Sequence, residues 1–178
     1  GFRAGWFKFT ICAQHLFYGE SKPDDPQRLK EAEALAKLLL KRAKSEDRWA
    51  DNLVIAGDFN IFTSKDKTLL ALEEAKFKSP AGLEGQYTNA KLDKPYDQIR
   101  FLAPSVDLQM REAKTGVFPF FMYVYRDEDK PVYLPEKTEK EYKEWRTYKM
   151  SDHLPLWVEL DVDFGIEYLE RKAKAPTP

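Results

Sequence analysis

The sequence predicts a layered α/β domain, on three observations. A strand, a helix and a second strand follow one another near the start, the arrangement of a sheet with a helix packed on one face. The chain has 178 residues, 43% of them hydrophobic, about one domain's worth and enough to bury a core. Twelve Phe, nine Tyr and four Trp favour a sheet with bulky interior layers over a bare helical bundle.

The first strand runs from Trp6 to Ala13, where Phe7, Phe9, Ile11 and Ala13 alternate with Lys8, Thr10 and Cys12, and His15 stands at its end. Asp25 followed by Pro26 is an N-cap and first-turn proline. Beyond them Leu29, Ala32, Ala36, Leu39, Leu40 and Ala43 recur at helical spacing, giving a helix over 26–44 that ends on Lys41, Arg42 and Lys44. Leu53-Val54-Ile55-Ala56 is apolar on both faces, as in the middle of a covered sheet. A second helix is expected over Ser64 to Phe77, built on Leu69, Leu70, Leu72 and Ala75. Gln98 to Ala103 and Leu156 to Asp161 alternate as strands. In between, Phe118 to Tyr125 reads as strand or buried loop, and Thr138 with Glu141 forms a capping box opening a helix to Tyr148. Residues 1–169 make the domain and 170–178 a frayed tail.

Twenty-nine basic and thirty acidic side chains leave a formal charge of −1, so nucleic acid or an anionic membrane would have to be held by a local patch. The single cysteine, Cys12, excludes an intrachain disulfide and a Cys-based zinc site and suits a reducing, cytoplasmic setting. No stretch approaches the roughly 20 apolar residues of a bilayer span. Gly1 in place of an initiator Met suggests a piece of something longer.

Groups able to bind metal or move a proton stand at four strand boundaries: His15, then Asp58 and Asn60, then Asp97, then Asp152 and His153. Sheets fix the relative positions of such groups while loops leave them open to substrate. Each also has an ordinary structural reading: a satisfied histidine, a turn in Gly57-Asp58-Phe59-Asn60 or after Pro95-Tyr96, a loop cap after Ser151.

Taken together, Gly57-Asp58-Phe59-Asn60, Tyr96-Asp97-Gln98-Ile99 and Ser151-Asp152-His153-Leu154-Pro155-Leu156, in that order and with His15 ahead of them, resemble the endonuclease/exonuclease/phosphatase superfamily. The resemblance runs from about Trp6 to Leu160 and implies a DNase I-like αββα four-layer sandwich, α/β in class. It implies a metal-dependent phosphodiesterase or phosphatase in which His153 and Asp97 form the His–Asp pair. Asp58 would stand beside the attacking water, the Asn60 amide on a phosphate oxygen, and His15 against the scissile phosphate. Asp152 would face a divalent ion, Mg²⁺ or Mn²⁺ by its oxygen ligation.

The family pattern begins with an asparagine-bearing strand end and a metal-binding glutamate that this chain does not match, since Glu20, Glu31 and Glu33 stand elsewhere. The chain thus corresponds to about the C-terminal two thirds of such a domain. That would leave a sheet edge or apolar face open to self-association or to an upstream segment. Lys65, Lys67, Lys91, Lys94 and Arg100 are candidate phosphate contacts, equally readable as solvated surface, and Thr63-Ser64-Lys65-Asp66 could line the cleft. Phe118 to Tyr125 could stack a base or a lipid-like group, or be core. Near-neutral charge argues against a nonspecific DNA nuclease. It leaves nucleic acid, nucleotide, small phosphodiester or phospholipid head group as the substrate, with an inactive binding or assembly module as the rival reading.

Overall fold

The structure, a computed structural model, describes residues 1–5, 7–102, 114–163 and 165–174. The coarse expectation holds: the fold is mixed α/β, with helices packed on a mixed sheet. Four strands, β1 (Phe2–Ala4), β2 (Phe7–His15), β3 (Asn52–Asp58) and β4 (Asp97–Leu102), lie in sequential order. β1 is antiparallel to β2, β2 parallel to β3, and β3 antiparallel to β4. A parallel pair needs a crossover, and α1 (Pro26–Ala43) supplies it. Two further strands, β5 (Lys114–Val117) and β6 (Leu156–Glu159), pair antiparallel as a second sheet among the described residues.

The two faces of the main sheet bury different sets. Ala32, Ala36 and Leu39 of α1 and Leu69 and Leu72 of α2 (Lys67–Glu74) pack with Leu53, Ile55, Phe59 and Ile61 in the larger core. On the opposite face Phe7, Val54 and Phe101 are buried with Val158, Leu160 and Val162 against them. Cover there is incomplete: Phe2 and Ile11 are exposed, and beyond Phe9 the outer edge of β2 has no strand beside it among the described residues.

Local chemistry sets the boundaries. The Asp25 carboxylate accepts from the Gln27 and Arg28 amides, and Pro26 occupies the first turn of α1. Asp66 caps α2 by accepting from the Thr68 amide, so the helix begins at Lys67 rather than Ser64. Asp66 also faces Arg28 at 3.3 Å with both side chains fully buried. The same guanidinium donates to the Tyr18 and Lys22 carbonyls at 3.1 and 3.0 Å, tying the loop after β2 to both helices.

Elsewhere the sequence reading is corrected. Phe118 to Tyr125 is neither strand nor wholly buried: a 3-10 turn spans Phe120–Met122, Phe120 is buried, and Phe118, Met122 and Tyr123 are exposed. One helical turn, α3 (Lys130–Tyr133), precedes α4 (Glu139–Lys149). A further helix, α5 (Gly165–Lys174), occupies much of the expected tail; Trp6, Ala103 and residues 175–178 lie outside the described residues. The capping box at α4 is formed, with Thr138 Oγ1 accepting from the Glu141 amide at 3.2 Å and Glu141 accepting from the Thr138 amide at 2.8 Å. That backbone bond is the largest cause holding the Glu141 carboxyl down at about 2. Thr138→Ala should destabilise the protein by about 1 kcal/mol, the usual cost of a lost cap, read as a lowered urea midpoint at unchanged slope.

Candidate active site

Register alone brings three of the polar residues to one place. His15 is paired with Asp58 across the parallel β2–β3 ladder, and Asp58 with Asp97 across the antiparallel β3–β4 ladder. Residues directly opposite one another project to the same face, so all three stand side by side at one end of the sheet. They share the face of Val54 and Phe101, on the side where β6 packs. Gly57 permits this close ladder. Its φ is +140°, and a Cβ there would lie 2.0 Å from the Gln14 carbonyl oxygen.

His153 arrives from a loop. It forms an isolated bridge with Asn89, the Leu154 amide donates to the Thr88 carbonyl at 2.6 Å, and the Ala90 amide donates to that of Asp152 at 2.7 Å. The Thr88 hydroxyl in turn accepts from the Asp97 amide at 2.9 Å. Residues 88–90 are therefore the splint that holds 152–154 against the start of β4.

The resulting geometry is a histidine between two carboxylates. His153 Nδ1 lies 2.8 Å from Asp97 Oδ2, and His153 Nε2 lies 3.9 Å from Asp58 Oδ2. The hydrogen bond to Asp97 is the main cause of a His153 pKa raised to about 9, against the opposing effect of burial. At neutral pH the ring is thus an imidazolium with both N–H groups directed at acids. Burial pushes the Asp58 carboxyl up, while the Asn60 amide, at 2.8 Å from Oδ1, and the two histidines pull it back. His15 Nε2 lies 3.3 Å from Asp58 Oδ2 with its side chain 73% exposed. The Tyr96 ring stacks on His153 at 5.6 Å between centroids and is itself met edge-on by Phe62. Burial holds the Tyr96 phenol neutral, its pKa pushed up to about 12.

A group whose pKa rises on folding stabilises the fold while it is protonated in both states, and loses that contribution as pH passes its folded value. The share due to His153 should be complete below its ordinary value of 6.5 and disappear as pH rises through about 9. Urea midpoints at about pH 6 and about pH 10 test this. The drop between them should shrink in Asp97→Asn.

Asn60 and Asp152 stand apart from the converging groups. Asn60 is 2% exposed with φ +50°, and its side-chain amide donates to the Leu16 carbonyl at 2.7 Å, which braces the turn. Asp152 is exposed and raises the His153 pKa, but it is outside the group whose ligand atoms converge within 4.8 Å, which is Asp58, Asp97 and His153. Arg100 is also removed from the candidate phosphate contacts: it is buried, paired with Glu73 at 3.3 Å and bonded to the Phe77 carbonyl. Asp66, expected to line the cleft, is fully buried against Arg28, whereas Lys65 and Lys91 are exposed and Lys94 pairs with Asp93.

Sequence reasoning assigned no role to Thr88, Asn89 or Tyr96. Tyr96 opens the Tyr96-Asp97-Gln98-Ile99 segment, a signal of position only; Thr88 and Asn89 lie in an ordinary polar loop. Two clefts adjoin the site. One of about 820 Å³ runs from His15 along Phe17, Tyr18 and Lys22, and one of about 380 Å³ lies between Asp97, His153, Ile99, Phe120 and Leu156. Among the described residues no helix is long and apolar enough to cross a membrane. No protein-family model matches the chain, and no curated protein matches it.

Proposed function

We infer that this chain is a divalent-metal-dependent hydrolase of phosphate esters, built on a DNase I-like sandwich. The observation that carries the reading is the in-register gathering of His15, Asp58 and Asp97 under His153, with the Asp97 carboxylate on Nδ1 and Asp58 facing Nε2. Phosphoester hydrolysis needs a held water and positive charge against the phosphoryl oxygens. Asp58, half-buried, orients the water. His153, held as imidazolium by Asp97, donates a hydrogen bond to a phosphoryl oxygen or its Nε2 proton to the leaving group. Its role is thus that of acid or charge stabiliser more than that of base. His15, exposed at the rim, meets the phosphate.

The Asp58 and Asp97 carboxylates, within 4.8 Å of one another and of His153, with the exposed Asp152 carboxylate beside them, would hold Mg²⁺ or Mn²⁺ through oxygen and leave the His153 imidazolium free to donate. An ion held there would supply positive charge beside the phosphoryl group. The near-neutral net charge and the exposed Lys65 and Lys91 support a small or locally bound phosphate ester: a nucleotide, a nucleic-acid end or a phospholipid head group. The one cysteine, free, is in keeping with a cytoplasmic setting.

Hydrolysis of bis-p-nitrophenyl phosphate with Mn²⁺ or Mg²⁺ tests the reading, comparing the chain with His153→Ala. Metal-dependent turnover lost in the variant is the expected result, and equal rates in both would sink it. The open outer edge of β2 favours a second reading, an assembly module, which would show concentration-dependent association and no turnover.

A further inference from the structure

We propose that Tyr96 is a positioning residue for His153: its ring, stacked on the imidazole, sets the tilt of that ring and so the direction of Nε2. A histidine ring has a broad choice of χ2. The Asp97 carboxylate, 2.8 Å from Nδ1, holds one atom of it. A single hydrogen bond leaves the tilt of the ring open, and with it the direction of Nε2. Tyr96 closes that freedom. Its centroid lies 5.6 Å from that of the imidazole with 30° between the planes, an offset stack that covers one face. Nε2 then stands 3.9 Å from Asp58 Oδ2, while the His153 side chain remains 32% exposed and within reach of a substrate.

Tyr96 can do this because it is itself held. Its carbonyl accepts from the Phe59 amide at 2.9 Å, which ties its backbone to the turn that carries Asp58. Phe62 meets its ring edge-on at 5.2 Å and 79°. Phe62 is buried in turn, with Tyr18 at 5.8 Å and the Arg28 guanidinium 5.1 Å over its face. Three rings and a fully buried cation thus brace the one face of His153 that Tyr96 covers.

The effect on rate rests on the hydrolase reading; the placement of the ring does not. A residue that only filled space between Phe62 and His153 could be replaced by any apolar side chain of similar size, and this separates the two roles.

The test combines proton spectra of the full chain with kinetics. In the parent, the His153 ring protons should be shifted upfield by the ring current of Tyr96. That shift should vanish in Tyr96→Leu, with circular dichroism reporting the fold. On bis-p-nitrophenyl phosphate with Mg²⁺, Tyr96→Leu should lower kcat about 10- to 100-fold, the cost of a slightly misplaced catalytic group, and leave KM within about twofold. Tyr96→Phe should keep the upfield shift and recover most of the rate, and with the parent spectrum it keeps the test decisive if Tyr96→Leu unfolds. A parent without the shift, a folded Tyr96→Leu with the parent's rate or with a change in KM alone, or a Tyr96→Phe that keeps the shift and loses the rate overturns the proposal. An upfield shift abolished in Tyr96→Leu, in a parent without phosphoesterase turnover, overturns the hydrolase reading alone.

Discussion

His153→Ala should lower metal-dependent hydrolysis of bis-p-nitrophenyl phosphate by at least about 10²-fold, the lower range for a positioned acid or base. The loss should fall on kcat more than KM, because the imidazolium is aimed at charge that develops as the ester bond breaks. Asp97→Asn separates charge from shape. The amide keeps the size of the side chain, and its oxygen can still accept from Nδ1–H, but the negative charge that holds the His153 pKa near 9 is gone. Its rate should therefore fall at the alkaline end first, as the imidazolium is lost at a lower pH. A rate profile of Asp97→Asn that superimposes on that of the parent would remove the dyad from the mechanism.

Arg28→Ala should destabilise the fold by about 3–5 kcal/mol, because it leaves the fully buried Asp66 carboxylate without its counter-charge. The change also strips donors from the Tyr18 and Lys22 carbonyls and loosens the loop that borders the His15 cleft. Replacing the pair together, Arg28→Met with Asp66→Leu, should recover part of the loss, since the orphaned charge goes with it. Asp66 also caps α2, so recovery stays incomplete. Urea unfolding of the two variants against the parent decides this, and a single variant within about 0.5 kcal/mol of the parent would refute it.

Much of this molecule is legible in its sequence because local rules and tertiary packing agree. Asp25-Pro26 starts α1 as capping chemistry requires, and the doubly apolar run from Leu53 is an inner strand, buried between two layers. The helix of the 64–77 segment starts three residues late because Asp66 caps α2 while pairing with Arg28, and that partner is invisible to periodicity. Phe118 to Tyr125 misleads for a related reason. Its apolar residues are not laid on one face, so Phe120 turns inward while its neighbours Met122 and Tyr123 reach solvent. At the site, the strand-end pattern marks His15, Asp58, Asp97 and His153. What one sequence does not carry is which side chains are spent on scaffolding. Asn60 and Arg100 look as available as the others until the Leu16 carbonyl and Glu73 are seen to hold them.

The splint at residues 88–90 gives the site an order in time. His153 reaches Asp97 across 56 residues of chain, and the Asn60 brace reaches Leu16 across 44. Contacts so distant along the chain close slowly, because each must overcome loop entropy before it is rewarded. The dyad is complete only when β2, β3 and β4 are in register and 152–154 has docked on Thr88 and Asn89. In a refolding experiment, then, helical signal from α1 should return first and the Tyr96–His153 ring stack last, making that stack a reporter of the finished native state.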